Sequence, residues 1–195
     1  MTTKEKVLEL FEKNKGIYFS GEELAKQLNV SRASVWKAVT GLRKDGYAID
    51  AVTNKGYCLS EKGDILSAQG IMKYLPSEYQ NMDIRVERET ESTNAAVREY
   101  AEQGMQEGVL LVAGEQTKGR GRYGRTFFSP QGTGVYFSLL LRPKSVLAQQ
   151  GTGLTAMAAV AMCEAVKELS GKPTGIKWVN DIYVNGKKVC GILTE

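Results

Sequence analysis

Two serines eleven residues apart, Ser20 and Ser31, constrain the fold of the first sixty residues more than any other feature. Ser20 precedes Glu23 at capping-box spacing, and Leu24, Ala25 and Leu28 give the helix behind it a buried face. After a short turn at Asn29 and Val30, Ser31 caps another helix, whose Val35, Val39 and Leu42 recur at i, i+4 and i+7 before Gly46 closes it. An earlier helix from Thr3 to Lys15 carries Val7, Leu8, Leu10 and Phe11 as its apolar stripe and ends at Gly16. Beyond Gly46, YAIDAV and GYCLS flank the turn Thr53-Asn54-Lys55-Gly56, which predicts a hairpin. Three helices and a hairpin in this order make a winged helix-turn-helix. Its third helix enters the DNA major groove and its hairpin reaches a flanking groove or phosphates.

The outward face of the third helix supports a role on DNA. With Val35, Val39 and Leu42 turned inward, Arg32, Ser34, Trp36, Lys37 and Arg43 are left wholly or partly exposed. The candidate DNA-contacting residues are Ser31, Arg32, Ser34, Trp36 and Lys37, with Asn54 and Lys55 in the hairpin turn. Trp36 either packs on the wing or lies against DNA sugar and phosphate. Residues 1–62 hold 11 Lys and Arg against 8 Asp and Glu, whereas 63–195 hold 15 against 14, so the basic excess lies in this first part. The alternative is a winged helix that binds protein.

A polar stretch, EKGDILSAQG, places the domain boundary near residue 62. A short amphipathic helix near Leu66 to Leu75 follows, then a strand at MDIRVERE and a helix from Thr93 to about Gln103. Strands at 108–116 and 134–143 come next. The segment 152–171 is apolar nearly all round at its start, which predicts a helix buried against a sheet. TGIKWVN and DIYVNGKKVCGILTE read as strands, the latter two joined by Asn185-Gly186, a type I′ hairpin signal. The fold class is therefore α+β, with a winged helix-turn-helix at 1–62 and a mixed-sheet α+β domain at 63–195. The chain stops in or just after an apolar strand, so the expectation is that this second domain is partial.

Between two of those strands lies KGRGRYGRT, which contains a literal G-x-G-x-x-G at Gly119, Gly121 and Gly124. A dinucleotide fingerprint must open a helix and needs an acidic residue about 20 positions on for the ribose. Here TFFSPQGTG follows, and there is no Asp or Glu between Gln116 and Cys163. The dinucleotide reading fails. What remains is a glycine-hinged loop carrying Lys118, Arg120, Arg122 and Arg125, suited to a phosphate-rich ligand.

Composition excludes other chemistry. The chain has no histidine, which removes Ser-His-Asp and Cys-His pairs and the commonest metal ligand, so no metal-ligating set is predicted. Its three cysteines, Cys58, Cys163 and Cys190, lack C-x-x-C spacing and fit reduced thiols in the cytoplasm. No stretch reaches 18 apolar residues, so neither a signal peptide nor a membrane span is predicted.

The runs ESTN (91–94), GEQTKGRGRYGRTFFSP (114–130), GVYFSLLLRP (134–143) and KWVNDIYVNGKKVCGIL (177–193) strongly resemble the bifunctional biotin protein ligases that are also biotin operon repressors. Their N-terminal winged helix matches too, and the resemblance covers essentially the whole chain. It implies that biotin and ATP form biotinyl-5′-adenylate, and that a lysine of a biotin-accepting carrier protein then takes the biotin. By residue-by-residue match it implies catalytic roles for Arg120, Arg122, Lys188 and Asp181. Biotin would meet Ser92, Thr93, Asn94, Gln116, Gly119, Arg120, Gly121, Arg122, Lys188 and Gly191. The nucleotide would meet Arg122, Arg125, Phe127, Asn180 and Lys188, with Mg²⁺ held mostly by phosphates. Partners so implied are operator DNA, the carrier protein and a second copy in a ligand-promoted homodimer. The sequence departs from the family at Phe127, where Trp is frequent, and at Val179, where Pro is common. Two alternatives are a metabolite-sensing transcription factor without ligase activity and a lipoate-ligase-like acyltransferase.

Overall fold

The computed structural model describes residues 1–144 and 151–195, which divide into two compact units, Met1–Val86 and Glu87–Glu195. The first unit begins with α1 (Thr3–Lys13), α2 (Gly21–Leu28) and α3 (Arg32–Lys44), followed by the hairpin β1 (Ile49–Val52) and β2 (Gly56–Leu59). Each helix starts where its sequence says it should. Ser20 Oγ accepts from the Glu23 N–H at 3.1 Å while the Glu23 carboxylate accepts from the Ser20 N–H at 2.7 Å. Thr2 and Glu5 make the same box on α1. Asn29 closes α2 in the left-handed conformation.

Apolar side chains from all three helices and both wing strands meet in one core of Val7, Leu8, Phe11, Leu24, Val35, Ala38, Val39, Leu42, Ile49 and Leu59. Phe11 and Leu24 are fully buried there. Truncating Phe11 to Ala should cost about 3–5 kcal/mol, because the surrounding helices cannot collapse on to the space. Gly56, at the wing turn, has φ +97°, and a Cβ there would stand 2.1 Å from the Phe19 carbonyl oxygen. Only glycine allows the Phe19–Tyr57 backbone pairing that fastens the wing to the chain ahead of α2.

The compact first unit extends past the expected boundary at residue 62. α4 (Ala68–Met72) packs on α1. The reason is electrostatic as well as apolar: Glu12 is buried on α1, and its Oε2 lies 3.1 Å from Lys73 Nζ and 3.3 Å from Lys15 Nζ. Lys73 also donates to the Glu12 carbonyl. A lone carboxylate in that position would be costly, so two lysines hold it and bring the linker helix down with them.

The strand β3 (Asp83–Glu87) belongs to a three-stranded sheet with β4 (Val109–Ala113) and β5 (Tyr136–Leu139), in the order β3-β4-β5. β4 and β5 are antiparallel, while the isolated bridge Thr90–Gln116 is parallel, giving the mixed character expected. α5 (Thr93–Glu102) packs Val97 against Val109, Leu111 and Leu140. A second sheet, β6 (Thr174–Lys177), β7 (Asp181–Val184) and β8 (Lys187–Gly191), is antiparallel throughout and lies against α6 (Thr152–Ser170). Asn185 and Gly186 both have positive φ, the signature of the predicted type I′ turn.

One expectation fails. α6 buries only Thr155 and Ala159, while Met157, Val160 and Leu169 are exposed. The sheet covers a single stripe of the helix, and Ala156, Ala158, Ala161 and Ala165 favour helix without needing burial.

Candidate functional site

Residues of the basic loop meet the β7–β8 hairpin in the second unit. Lys188 Nζ lies 2.8 Å from Asp181 Oδ1, and the same oxygen accepts from Asn180 Nδ2 at 3.0 Å. Asn180 Oδ1 in turn accepts from Arg122 Nη1 at 3.0 Å. A continuous chain thus runs Arg122, Asn180, Asp181, Lys188. Phe127 closes one side, with Lys188 Nζ 5.6 Å from its ring centroid. Gly191 sits beneath: a Cβ there would lie 3.0 Å from Lys188 Nζ and 3.1 Å from Phe127 Cε2. Register explains the meeting, because Asp181 pairs with Gly191 and Tyr183 with Lys188, placing them on one sheet face. The other face carries Ile182, fully buried, and Cys190. Burial pushes the Cys190 thiol up, against the lowering effect of nearby Lys188.

The basic loop is a small hairpin. Arg120 and Thr126 form an antiparallel bridge, the Gly121 N–H donates to the Arg125 carbonyl at 2.7 Å, and the Phe127 N–H donates to the Gly119 carbonyl at 2.9 Å. Gly119 is a glycine for the loop's own sake, since a Cβ would stand 2.4 Å from the Phe127 carbonyl oxygen. At the tip, Tyr123 and Gly124 take positive φ, and the Arg122 guanidinium lies over the Tyr123 ring at 5.0 Å. The side chains of Arg120 and Arg125 are exposed, with no ion pair or hydrogen bond among the described residues. Lys118 differs from them. It pairs with Glu91 at 2.6 Å, so the loop that lacks acids in sequence acquires one in space.

Beside the charged chain lies a polar network. The Thr93 N–H and hydroxyl both donate to Gln116 Oε1, at 2.9 and 3.0 Å, and Gln116 Nε2 donates to Ser129 Oγ at 3.0 Å. Ser138 Oγ lies 2.8 Å from Thr93 Oγ1 and also meets Asn94 Oδ1. Asn94 Nδ2 donates to the Leu193 carbonyl at 3.2 Å, tying α5 to the chain after β8. Ser92, buried, caps α5 by accepting from the Ala95 N–H. Sequence reading misses Ser129 and Ser138. Ser138 is detectable in principle: between Tyr136 and Leu140 it is the one polar residue on the inward side of an apolar strand.

On the first unit, Trp36 is 59% exposed and so does not bury itself on the wing. Arg32 and Lys37 are exposed on the same helix. Ser31 caps α3 by accepting from the Ser34 N–H at 3.1 Å, and the two hydroxyls are 2.9 Å apart. Arg43 turns back instead, donating to the Ile49 carbonyl and fixing the start of the wing. Asn54 takes positive φ in the wing turn, and Lys55 Nζ lies 5.9 Å from the Tyr18 ring. No helix among the described residues is long and apolar enough to cross a membrane.

Comparison with known proteins matches each of the two units to a family. Residues 86–195 match the biotin/lipoate A/B protein ligase family, and residues 3–58 match a helix-turn-helix domain. The chain belongs to the biotin/lipoate A/B protein ligase family. It is 41% identical over 194 residues to the bifunctional ligase/repressor BirA of Bacillus subtilis, covering all of this chain and 59% of that protein. Against the Escherichia coli bifunctional ligase/repressor BirA it is 33% identical over 180 residues, covering 92% of this chain and 54% of the relative. A solved biotin protein ligase from Aquifex aeolicus in complex with biotin and ATP matches 58% of this chain and 46% of its own, at 37% identity and a TM-score of 0.50. The chain therefore spans a little over half the length of these curated relatives. The helix-turn-helix match stops at Cys58, at the end of the wing, and the ligase match begins at Val86, where the two compact units divide.

Proposed function

We propose that this chain is the DNA-binding and adenylate-forming part of a bifunctional biotin ligase and biotin operon repressor. The observation that carries the reading is the chain Arg122–Asn180–Asp181–Lys188, which gathers two cations and a carboxylate beside Phe127 and Gly191.

Adenylation sets a carboxylate oxygen of biotin against the α-phosphorus of ATP, and the bond from that phosphorus to the bridging oxygen breaks as pyrophosphate leaves. Two anions must approach, so positioning and positive charge supply most of the catalysis. Lys188 and Arg122 serve that purpose, joined by Arg120 as it closes over the reacting carboxylate. In the second step a carrier-protein lysine amine attacks the biotinyl carbonyl, AMP leaves with the electrons of the broken anhydride bond, and the amine gives up a proton. Asp181 is the carboxylate placed to hold that amine, once Lys188 has turned from it to the bound anion. Thr93, Asn94, Gln116 and Ser92 present hydrogen-bonding groups for the small neutral ring system of biotin, with Gly121 and Gly191 leaving room for backbone approach. Phe127 would offer adenine a stacking face, with Asn180 and Arg125 serving the nucleotide.

A divalent ion fits this donor set only in company with the nucleotide. Among the described residues no three His, Cys, Asp or Glu side chains gather, so Asp181 is the carboxylate at hand and phosphates would hold most of a Mg²⁺. Bound there, Mg²⁺ would neutralise phosphate charge.

The winged helix gives this ligase a second task. One recognition helix reads one half-site, so tight operator binding calls for a symmetric dimer. We take biotinyl-adenylate as the signal: its accumulation, with no carrier protein waiting, would promote dimerisation through the ordered 120–125 loop and shut transcription. The three free cysteines and the lack of a membrane-spanning helix among the described residues agree with a cytoplasmic setting.

Incubation with biotin and α-labelled ATP tests the reading. Labelled biotinyl-adenylate, and its consumption when carrier protein is added, are the expected results. Biotin binding without adenylate would favour a metabolite sensor, and a preference for lipoate would favour the acyltransferase.

A further inference from the structure

The antiparallel register places Lys177 directly opposite Asp181, and Gly175 opposite Tyr183, on the sheet face that carries Lys188 and Gly191. Lys177 Nζ lies 5.9 Å from the Tyr183 ring centroid, and together with Gly175 and Ile176 these residues line an open groove of about 290 Å³. A Cβ on Gly175 would meet nothing within 4 Å, so the surface beside Lys177 is open to solvent. Lys177 is exposed and has no carboxylate partner among the described residues. Its cross-strand neighbour Asp181 is already engaged by Lys188 and Asn180. The face therefore sets Lys177 and Lys188 against a single carboxylate, with Arg122 of the basic loop reaching Asn180 at its edge.

We infer that Lys177 and Tyr183 form a subsite for inorganic pyrophosphate, the group that leaves on adenylation, and that they hold the β- and γ-phosphates of the nucleotide before it leaves. This rests on the ligase reading above. Lys188 on β8 and Lys177 on β6 are two strand spacings apart and offset by two residues along the strands, roughly 12 Å between backbones. Lysine side chains can close that gap from both sides on to one polyphosphate. With the α-phosphate at Lys188 and Arg122, the phosphates beyond it have the Lys177 ammonium, unpaired among the described residues, as the cation this strand offers and the Tyr183 hydroxyl as a second donor. The groove is shallow and open to solvent, which lets a compact anion leave freely. Holding the leaving group stabilises the charge that develops as the phosphorus–oxygen bond breaks. It does nothing for the later transfer step, from which pyrophosphate has already gone.

That difference supplies the test. In the protein and in Lys177→Ala, pyrophosphate binding is measured by calorimetry, adenylation by α-labelled ATP, and transfer from purified biotinyl-adenylate to carrier protein by label incorporation. Lys177→Ala should weaken pyrophosphate binding by roughly ten-fold or more, the size of one lost charge-assisted hydrogen bond. It should raise the KM for ATP and leave transfer unchanged, and Lys177→Arg should recover most of the binding. Pyrophosphate affinity equal in parent and variant overturns the subsite. So does a raised carrier-protein KM with unchanged pyrophosphate affinity, which would turn Lys177 toward the acceptor. A parent protein that binds pyrophosphate through Lys177 but makes no adenylate would uphold the subsite and overturn the ligase reading instead.

Discussion

Lys188 Nζ and Asp181 Oδ1, on adjacent strands of one hairpin, form a 2.8 Å ion pair at the centre of the candidate site. The pair stores each group in the other's company until substrates arrive. An anion that draws Lys188 away leaves Asp181 free to hold an incoming amine. Asp181→Asn should therefore keep most of the adenylation rate, because Lys188 and Arg122 remain, and slow transfer to the carrier lysine by roughly two orders of magnitude, the scale of a lost general-base contribution. Separate rates for adenylate formation and for transfer from purified adenylate check this. Equal losses in both steps would assign Asp181 to another role.

The basic hairpin should respond to ligand. Arg120 and Arg125 project without partners among the described residues, and their like charges favour an open or shifting loop until an anion sits between them. Trypsin should cut between Lys118 and Ser129 in the free protein and cut much more slowly with biotinyl-adenylate present. Unchanged cleavage would remove the ordering step from the proposed switch.

On the first unit, Arg32→Ala and Lys37→Ala should weaken operator binding while adenylation stays normal. If each removes a phosphate contact, the slope of log affinity against log salt should fall by about 1 per residue. Titrations at several fixed salt concentrations decide the point. Variants whose salt slope matches the parent would place these cations off the DNA.

Cys190 provides a chemical probe of the site. Its thiol is pushed up by burial and pulled part of the way back by Lys188, so the reactive thiolate is scarce at neutral pH. Alkylation should speed up only as pH rises beyond the usual thiol range, and Lys188→Ala should move that rise higher still. Mass spectrometry of the modified peptide at a series of pH values reads it. A lower apparent pKa in the variant would contradict the placement of Lys188.

What the sequence discloses is local in origin. The caps at Ser20 and Ser31, the positive-φ turn at Asn185-Gly186 and the buried stripe of Val35, Val39 and Leu42 all depend on residues a few positions apart. Contacts set by tertiary folding stay hidden. Nothing in KGRGRYGRT announces that Glu91 will pair with Lys118, or that Gly119 is demanded by the Phe127 carbonyl rather than by a ligand. The polar linker predicts a break from the winged helix near residue 62, yet buried Glu12 draws Lys73 and α4 on to α1. α6 is less buried than its composition predicts, because apolar content is not burial and the sheet covers only one stripe of it. The cations of the basic loop are legible from their density and the glycines between them, whereas Ser92, Thr93, Gln116, Asp181 and Lys188 are legible only as a family match. Their mutual bonding, Thr93 to Gln116 to Ser129 and Arg122 to Asn180 to Asp181, can be read only from the fold.

The most direct test is single-turnover formation of biotinyl-adenylate at saturating biotin and ATP, comparing the protein with Lys188→Ala. The proposed site predicts adenylate from the parent and a rate lower by roughly two or more orders of magnitude in the variant, with biotin affinity much less affected. Adenylate formed at the parental rate by Lys188→Ala, or a variant defective only in biotin binding, would contradict it.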